Sequence, residues 1–296
     1  MPEAEVRIPF RDRGFKFGDA AFDTTRTFGH RLFRLEEHIA RLYRSLAYLD
    51  IDIGIRPEKM LTVAEELATK NLEQVDPADD IWLTWRVSRG LDANERAAWP
   101  DYPEKTVIVE CRPLPFKARG QSYKKGLNIV VPSVRRPAPD ALSPRAKTHN
   151  YLTLVLGDME AKQVSPNAIG LLLDTNGNLS EGRGSNIFLV QNGRLRTPAE
   201  RFILPGISRA TAIDLAHAAG IEVEETDLDL FDAYTADEGF ITSTSFCICP
   251  IGTINGRRVG PSVLPGLVTK RLMDAYVDLV GCDWVAQYLR YADENT

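Results

Sequence analysis

Three short turn sequences constrain the fold most. Asp174-Thr-Asn-Gly177, Gln191-Asn-Gly193 and Asn255-Gly256 lie between runs of apolar residues. An Asn-Gly step supplies the positive φ angles that a tight hairpin demands. Hairpins join antiparallel strands, so a purely parallel sheet is excluded. Elsewhere in the chain the apolar spacing marks both helices and strands. Leu35, Ile39, Leu42, Leu46 and Leu49 predict a helix over 35–49, and Met60, Val63, Ala64, Leu67 and Ala68 predict another over 57–71. Further helices are expected over 151–163, with Leu152, Val155, Leu156 and Met159 on one side, over 208–219 before the stop at Gly220, and over 267–280. Strands are expected over 81–88, 106–112, 127–131, 168–173, 186–190, 221–225 and 239–243. The opening, 6–35, reads as short extended segments broken by Gly14, Gly18 and Gly29, and 132–144 as a proline-rich loop. Helices and strands mix without regular alternation, which makes the class α+β.

A chain of 296 residues is about two domains long. The stretch Pro113–Ser122, with two prolines, a glycine and little periodicity, is the expected linker. It would join a small domain, 1–112, to a larger one, 123–296.

Charge excludes some partners. Thirty-six basic residues against 41 acidic ones give a net charge of −5, with no dense Lys/Arg block to bind nucleic acid or an anionic membrane. No stretch approaches the ~18 apolar residues of a membrane span. The start, Met1–Val6, lacks the basic and apolar runs of a signal peptide, so the cytoplasm is the expected compartment. Cys111, Cys247, Cys249 and Cys282 are too scattered for a disulfide framework. With His30, His38, His149 and His217 they show no metal-ligand spacing, and no metal is expected.

Five short elements carry candidate chemistry. Lysine is scarce, ten in all, yet Lys147 sits in Ala146-Lys-Thr-His-Asn-Tyr151, directly before a helix. Such a lysine is usually a surface cation; partly buried, it becomes a Schiff-base amine. Leu179-Ser-Glu-Gly-Arg-Gly-Ser-Asn186 could be an ordinary loop or could point Glu181 into a site. Leu204-Pro-Gly-Ile-Ser-Arg209 opens a helix, where Ser208 could be the N-cap beside free backbone N–H groups that attract anions. Thr242-Ser-Thr-Ser245 clusters small hydroxyls at a strand end, and Arg41 in His38-Ile-Ala-Arg-Leu42 falls off the leucine stripe.

Together and in this order the elements resemble the class IV aminotransferases, the fold-type-IV group of pyridoxal 5′-phosphate (PLP) enzymes. The shared patterns are His-x-x-Arg-Leu, Lys-x-x-Asn-Tyr, Ser-Glu-Gly-x-x-x-Asn and Leu-Pro-Gly-Ile-Ser-Arg, within a resemblance running from about Phe17 to Val280. It implies two domains, a homodimer or higher homo-oligomer, and amino transfer between a small amino donor and a 2-oxo acid. It implies that Lys147 holds the PLP and shuttles a proton, and that Glu181 pairs with the pyridine nitrogen. Arg41, Thr244 and the N–H groups of Ile207 and Ser208 would bind the phosphate, with Tyr151 beside the ring hydroxyl and Asn186 supporting the Glu181 loop.

For the substrate, Phe17-Gly-Asp-Ala-Ala-Phe-Asp-Thr-Thr-Arg26 resembles the branched-chain group through Phe22 and Arg26. Phe17 and Thr24 depart from it. Trp82 and Thr84 stand where that group has a tyrosine and an arginine, and Ser245 completes the expected contacts. Losing that arginine counts against glutamate and 2-oxoglutarate unless Arg86 or Arg26 substitutes. A branched-chain-like aminotransferase is the first expectation and an (R)-selective amine transaminase the alternative. A D-amino-acid aminotransferase, which would need an absent Arg-x-His element near Cys111–Phe116, and an aminodeoxychorismate lyase rank below both.

Overall fold

A computed structural model of the chain describes residues 2–102 and 104–292. Met1 and 293–296, the outer ends of the two expected domains, lie outside the described residues, as does Pro103 within the first. Helix α1 (Arg13–Phe17) leads into a four-stranded antiparallel sheet of β1 (Ala20–Phe28), β2 (Arg31–Leu32), β3 (Ile81–Ser88) and β4 (Thr106–Pro113), ordered β2-β1-β3-β4. Helices α2 (Leu35–Tyr48) and α3 (Pro57–Leu72) cover one face, and α4 (Ala93–Ala98) follows β3. Side chains alternate along a strand. Ala21, Leu83, Trp85 and Val87 therefore enter a core with Leu35, Ile39, Leu42, Leu46 and Met60. Phe22, Thr24, Arg26, Trp82, Thr84 and Arg86 occupy the opposite face.

The chain continues through α5 (Phe116–Lys125), β5 (Leu127–Val130), α6 (Leu152–Val164), β6 (Ile169–Leu173), β7 (Leu179–Gly182), β8 (Ser185–Gln191), β9 (Arg194–Pro198), α7 (Ile207–Ala218) and β10 (Val223–Thr226). It finishes with α8 (Leu230–Thr235), β11 (Glu238–Ser243), β12 (Cys247–Ile254), β13 (Arg257–Arg258), α9 (Leu267–Val280) and α10 (Trp284–Arg290). The second sheet runs β10-β9-β8-β11-β12-β5-β6-β7, and β7 also pairs with β8, so the strands between them close into a ring. Pairing is parallel between β12 and β5, β5 and β6, and β9 and β10, and antiparallel elsewhere. This is the mixed α+β architecture the hairpin turns require. Asn192 and Gly193, and Asn255 and Gly256, take positive φ angles of 53°, 75°, 49° and 75° at the turns.

Several details differ from the sequence pattern. The opening holds a short helix before β1, where the pattern predicts extended pieces, while Gly29 does break β1 from β2. The 113–122 stretch is helical from Phe116, because Phe116 and Tyr123 are buried and Gly120 lets α5 press against α10. Helix α6 turns its predicted apolar side outward: Leu152, Leu156 and Met159 are 68%, 43% and 55% exposed. Its buried side is Leu154, Gly157, Asp158 and Ala161. Gly157 and Gly170 of β6 set that choice, since a Cβ on Gly170 would lie 2.8 Å from the Gly157 carbonyl oxygen.

A Cβ added at Gly120 would stand 2.5 Å from the Tyr288 carbonyl oxygen. Gly120→Ala is therefore expected to destabilise the protein by roughly 1–3 kcal/mol. Urea unfolding monitored by tryptophan fluorescence reads the loss.

Candidate active site

The site forms where the 146–151 segment is laced onto the first sheet. The Phe22 N–H donates to the Lys147 carbonyl at 2.9 Å, and the His149 N–H to Ala20 at 2.8 Å. The Ser45 hydroxyl of α2 accepts the Lys147 N–H at 3.0 Å. With its backbone fixed on three sides, the Lys147 side chain is buried, 8% exposed. Its Nζ lies 3.1 Å from the Tyr151 hydroxyl and 4.5 Å from the centre of the Phe22 ring. Phe22 is held edge-on by Tyr151 and His149.

Lys147 and Tyr151 share one cup with Glu181, Arg41, Asn186, Gly206, Ile207, Ser208, Thr242 and Thr244. They arrive from several elements, with Gly206, Ile207 and Ser208 together at the start of α7. Arg41 lies on α2, and its Nε and Nη2 both donate to Asp23 of β1 at 2.8 Å while Nη1 donates to the Pro205 carbonyl at 3.0 Å. His38, one helical turn earlier, contacts the same carboxylate at 2.7 Å. Burial alone would raise the Asp23 carboxyl, but the Arg41 charge and the hydrogen bonds from Arg41 and His38 outweigh it and hold it well below the carboxylate range. Burial likewise lowers His38 and keeps its imidazole neutral.

Glu181 sits on β7 and is buried. One carboxylate oxygen accepts from Arg136 at 2.9 Å and the other from the Leu204 N–H at 3.0 Å. Burial pushes its carboxyl up, against the opposing pull of Arg136 and that N–H. Asn186 braces the next turn, donating from Nδ2 to the Leu204 carbonyl at 3.0 Å. Gly206 follows because a Cβ there would come within 2.2 Å of the Asn186 Oδ1. Gly206, not Ser208, is the N-cap of α7, and no side chain caps it. The N–H groups of Ile207 and Ser208 are thus in the first turn, whose donors have no intrahelical partner.

This cup fits the PLP implied by the sequence resemblance. The Thr242 hydroxyl is buried without a hydrogen-bond partner among the described residues, an uncapped helix N-terminus faces the same space, and Arg41 supplies a fixed cation. These are the groups that a phosphate dianion satisfies. Thr244 donates instead to the Thr24 carbonyl at 3.2 Å.

The structure sorts the expected substrate residues. Phe22 and Arg86 line a cavity of about 620 Å³ with His149, Tyr151 and Arg183. Thr84 faces Thr24 hydroxyl to hydroxyl at 3.0 Å. Ser245 lines a second cavity, of about 710 Å³, which shares Gly184, Ser185 and Ser243 with the cup. Two expectations are corrected within this chain. Phe17 ends α1 beyond the cavities and is 61% exposed, because Gly18 at φ 70° turns the chain before β1. Arg26 is 1% exposed and pinned between the sheets by Thr27, Gln287 and Asp80, so it cannot meet a substrate. Sequence reading missed Asp23 and Arg136, and within the 242–245 hydroxyl run it chose Thr244 over Thr242. Strand alternation could have found Asp23, which must face α2 if Phe22 faces the site.

The chain matches the amino-transferase class IV family over residues 20–254. It is 36% identical over 284 residues to a Methanocaldococcus jannaschii protein assigned as a branched-chain-amino-acid aminotransferase, covering 94% of this chain and 93% of that one. It is 31% identical over 277 residues to the D-alanine aminotransferase of Listeria monocytogenes, covering 93% and 91%. The fold matches the crystal structure of the Escherichia coli branched-chain amino acid aminotransferase with a TM-score of 0.82 at 28% identity, covering 94% and 90% of the two chains.

Removing the Asp23 charge strands the buried Arg41. Asp23→Asn is expected to cost about 3–5 kcal/mol of stability, measured by urea unfolding of the cofactor-free protein. Burial and the Arg86 charge lower His149 from 6.5 to about 4. The unfolded chain then binds this proton first, so stability falls as pH drops from 6.5 towards 4. His149→Gln should flatten that part of the thermal-midpoint profile.

Proposed function

This chain belongs to the class IV aminotransferases, and we propose that within that family it moves the amino group of an apolar, branched-chain-like L-amino acid to a 2-oxo acid. The family uses PLP, which when bound supplies an electrophilic aldehyde and an electron-withdrawing ring. The observation that carries the reading is the buried Lys147 amine, held against Tyr151 and Phe22 at the mouth of a cup built for a phosphate.

In this reading Lys147 holds the cofactor and its Nζ carries the proton to and from the substrate α-carbon. Tyr151 steers that amine through its hydroxyl. Glu181, oriented by Arg136 and the Leu204 N–H, presents a carboxylate to the pyridine nitrogen. Arg41, the Thr242 hydroxyl and the first N–H groups of α7 hold the phosphate, and the Thr244 hydroxyl joins them by turning from the Thr24 carbonyl. Phe22, Trp82 and Thr84 on the sheet face, with Ser245 opposite, shape the substrate space, and apolar walls favour an aliphatic side chain. The assigned functions of the M. jannaschii and E. coli proteins support that choice.

The same reading divides the chain into a small domain, 1–112, a connection, 113–122, and a large domain, 123–296. A core drawn wholly from residues before 112, under α2 and α3, supports this division. It also takes the protein as a homodimer. The exposed Phe17, Leu152, Leu156 and Met159 are apolar surface that a second copy would cover. No described helix is long and apolar enough to cross a membrane, and the four cysteines are free, in keeping with a cytoplasmic enzyme.

Lys147→Ala should lower amino transfer by at least about 10³-fold. A donor panel of L-leucine, D-alanine and (R)-1-phenylethylamine, with pyruvate and 2-oxoglutarate as acceptors, tests the substrate. L-Leucine should give the highest kcat/KM; a clear preference for D-alanine or the amine would overturn the assignment.

A further inference from the structure

Arg119 lies on α5, in the stretch that the sequence marks as a linker. Its guanidinium carbon stands 4.3 Å from the centre of the Phe246 ring and 5.4 Å from that of Trp82. Its Nη1 is shut off from solvent and, among the described residues, has no hydrogen-bond partner. The Trp82 Nε1 beside it is a second buried donor without an acceptor. The ionisable groups acting most on Arg119 are Tyr288, Tyr123, Cys249 and another guanidinium, Arg183. Burial raises both tyrosines and the thiol, so none of the three carries negative charge near neutral pH.

A buried guanidinium stays protonated, and leaving it without an anion is costly. Most other cations around the cup already have one. Arg41 is paired with Asp23, Arg136 with Glu181, Arg86 with Glu110, and Arg183 with Asp158. Asp158, the acidic residue on the wall of the Arg119 cavity, is held by Arg183 and Lys162. That cavity, about 710 Å³, adjoins the cup, the two sharing Gly184, Ser185 and Ser243 in their linings. A substrate reacting at Lys147 therefore has room to extend towards Arg119.

We propose that Arg119 is a specificity-determining residue that, with the Trp82 indole N–H, receives the distal carboxylate of a dicarboxylic amino donor or 2-oxo acid acceptor. The inference rests on the aminotransferase reading. It places the anion anchor on α5, not on β3, where Thr84 stands. The two aromatic faces explain how one pocket takes both kinds of side chain. With an aliphatic substrate the cation rests on Phe246 and Trp82 through cation–π attraction. With a dicarboxylic substrate the same cation and the indole N–H gain the acceptor they lack.

The test compares binding of glutarate and hexanoate to the holoenzyme by titration calorimetry, in wild type, Arg119→Met and Arg119→Lys. Wild type should bind glutarate more tightly than hexanoate. Arg119→Met should lower the glutarate-to-hexanoate affinity ratio about 10- to 100-fold, and the kcat/KM ratio of 2-oxoglutarate to 4-methyl-2-oxopentanoate should fall in parallel. Arg119→Lys, which keeps the charge but loses the fork, should show a smaller fall and carries the test if the Met variant does not fold. An unchanged ratio in either folded variant, or a wild type with no preference for glutarate, overturns the proposal. Absence of amino transfer by wild type with every substrate pair would instead overturn the aminotransferase reading, and the glutarate comparison would still judge Arg119.

Discussion

Two backbone hydrogen bonds between β1 and the 147–149 segment hold the structure's two halves in working register. They tie a loop of the second half to a strand of the first and place the Lys147 amine beside Phe22. The rest of the site depends on that register. Because β1 alternates, the strand that offers Phe22 to the amine must turn Asp23 towards α2. Asp23 there fixes Arg41 with two hydrogen bonds, and Arg41 in turn reaches the Pro205 carbonyl beside the start of α7. One strand thus sets the position of the amine, the cation and the neighbouring helix end.

The electrostatics follow the same division. Asp23 and Arg41 are both fully enclosed, where an unpaired charge would be expensive, so each is present because of the other. Glu181 is arranged differently. Its two oxygens are occupied by Arg136 and the Leu204 N–H, yet burial still pushes the carboxyl up. A carboxylate poised in this way can respond to a further positive charge placed before it. The cup therefore combines an ion pair that fixes Arg41 at its wall with donors that lack acceptors and a buried carboxylate that burial pushes up.

Much of this was legible in the sequence. The Asn-Gly turns fixed the mixed sheet, since few residues tolerate their φ angles, and the leucine spacing placed α2 within a residue of its observed end. Lys147, Tyr151, Glu181 and Arg41 come together as their motifs imply. What stayed hidden depended on partners distant in the chain. Apolar periodicity assigned the wrong face of α6, because a contact between Gly157 and Gly170 decides which side meets β6. Arg26 looked available to a substrate, but Gln287 and Asp80 claim it from far along the sequence. Proline and glycine around α5 concealed a helix that only its packing on α10 accounts for.

Of the ten lysines in the chain, one amine, that of Lys147, is presented to the cofactor. Borohydride reduction of the PLP-loaded protein, followed by peptide mass mapping, addresses it directly. A single phosphopyridoxyl label on the peptide containing Lys147 is the predicted result. A label on any other lysine, or none at all, would contradict it.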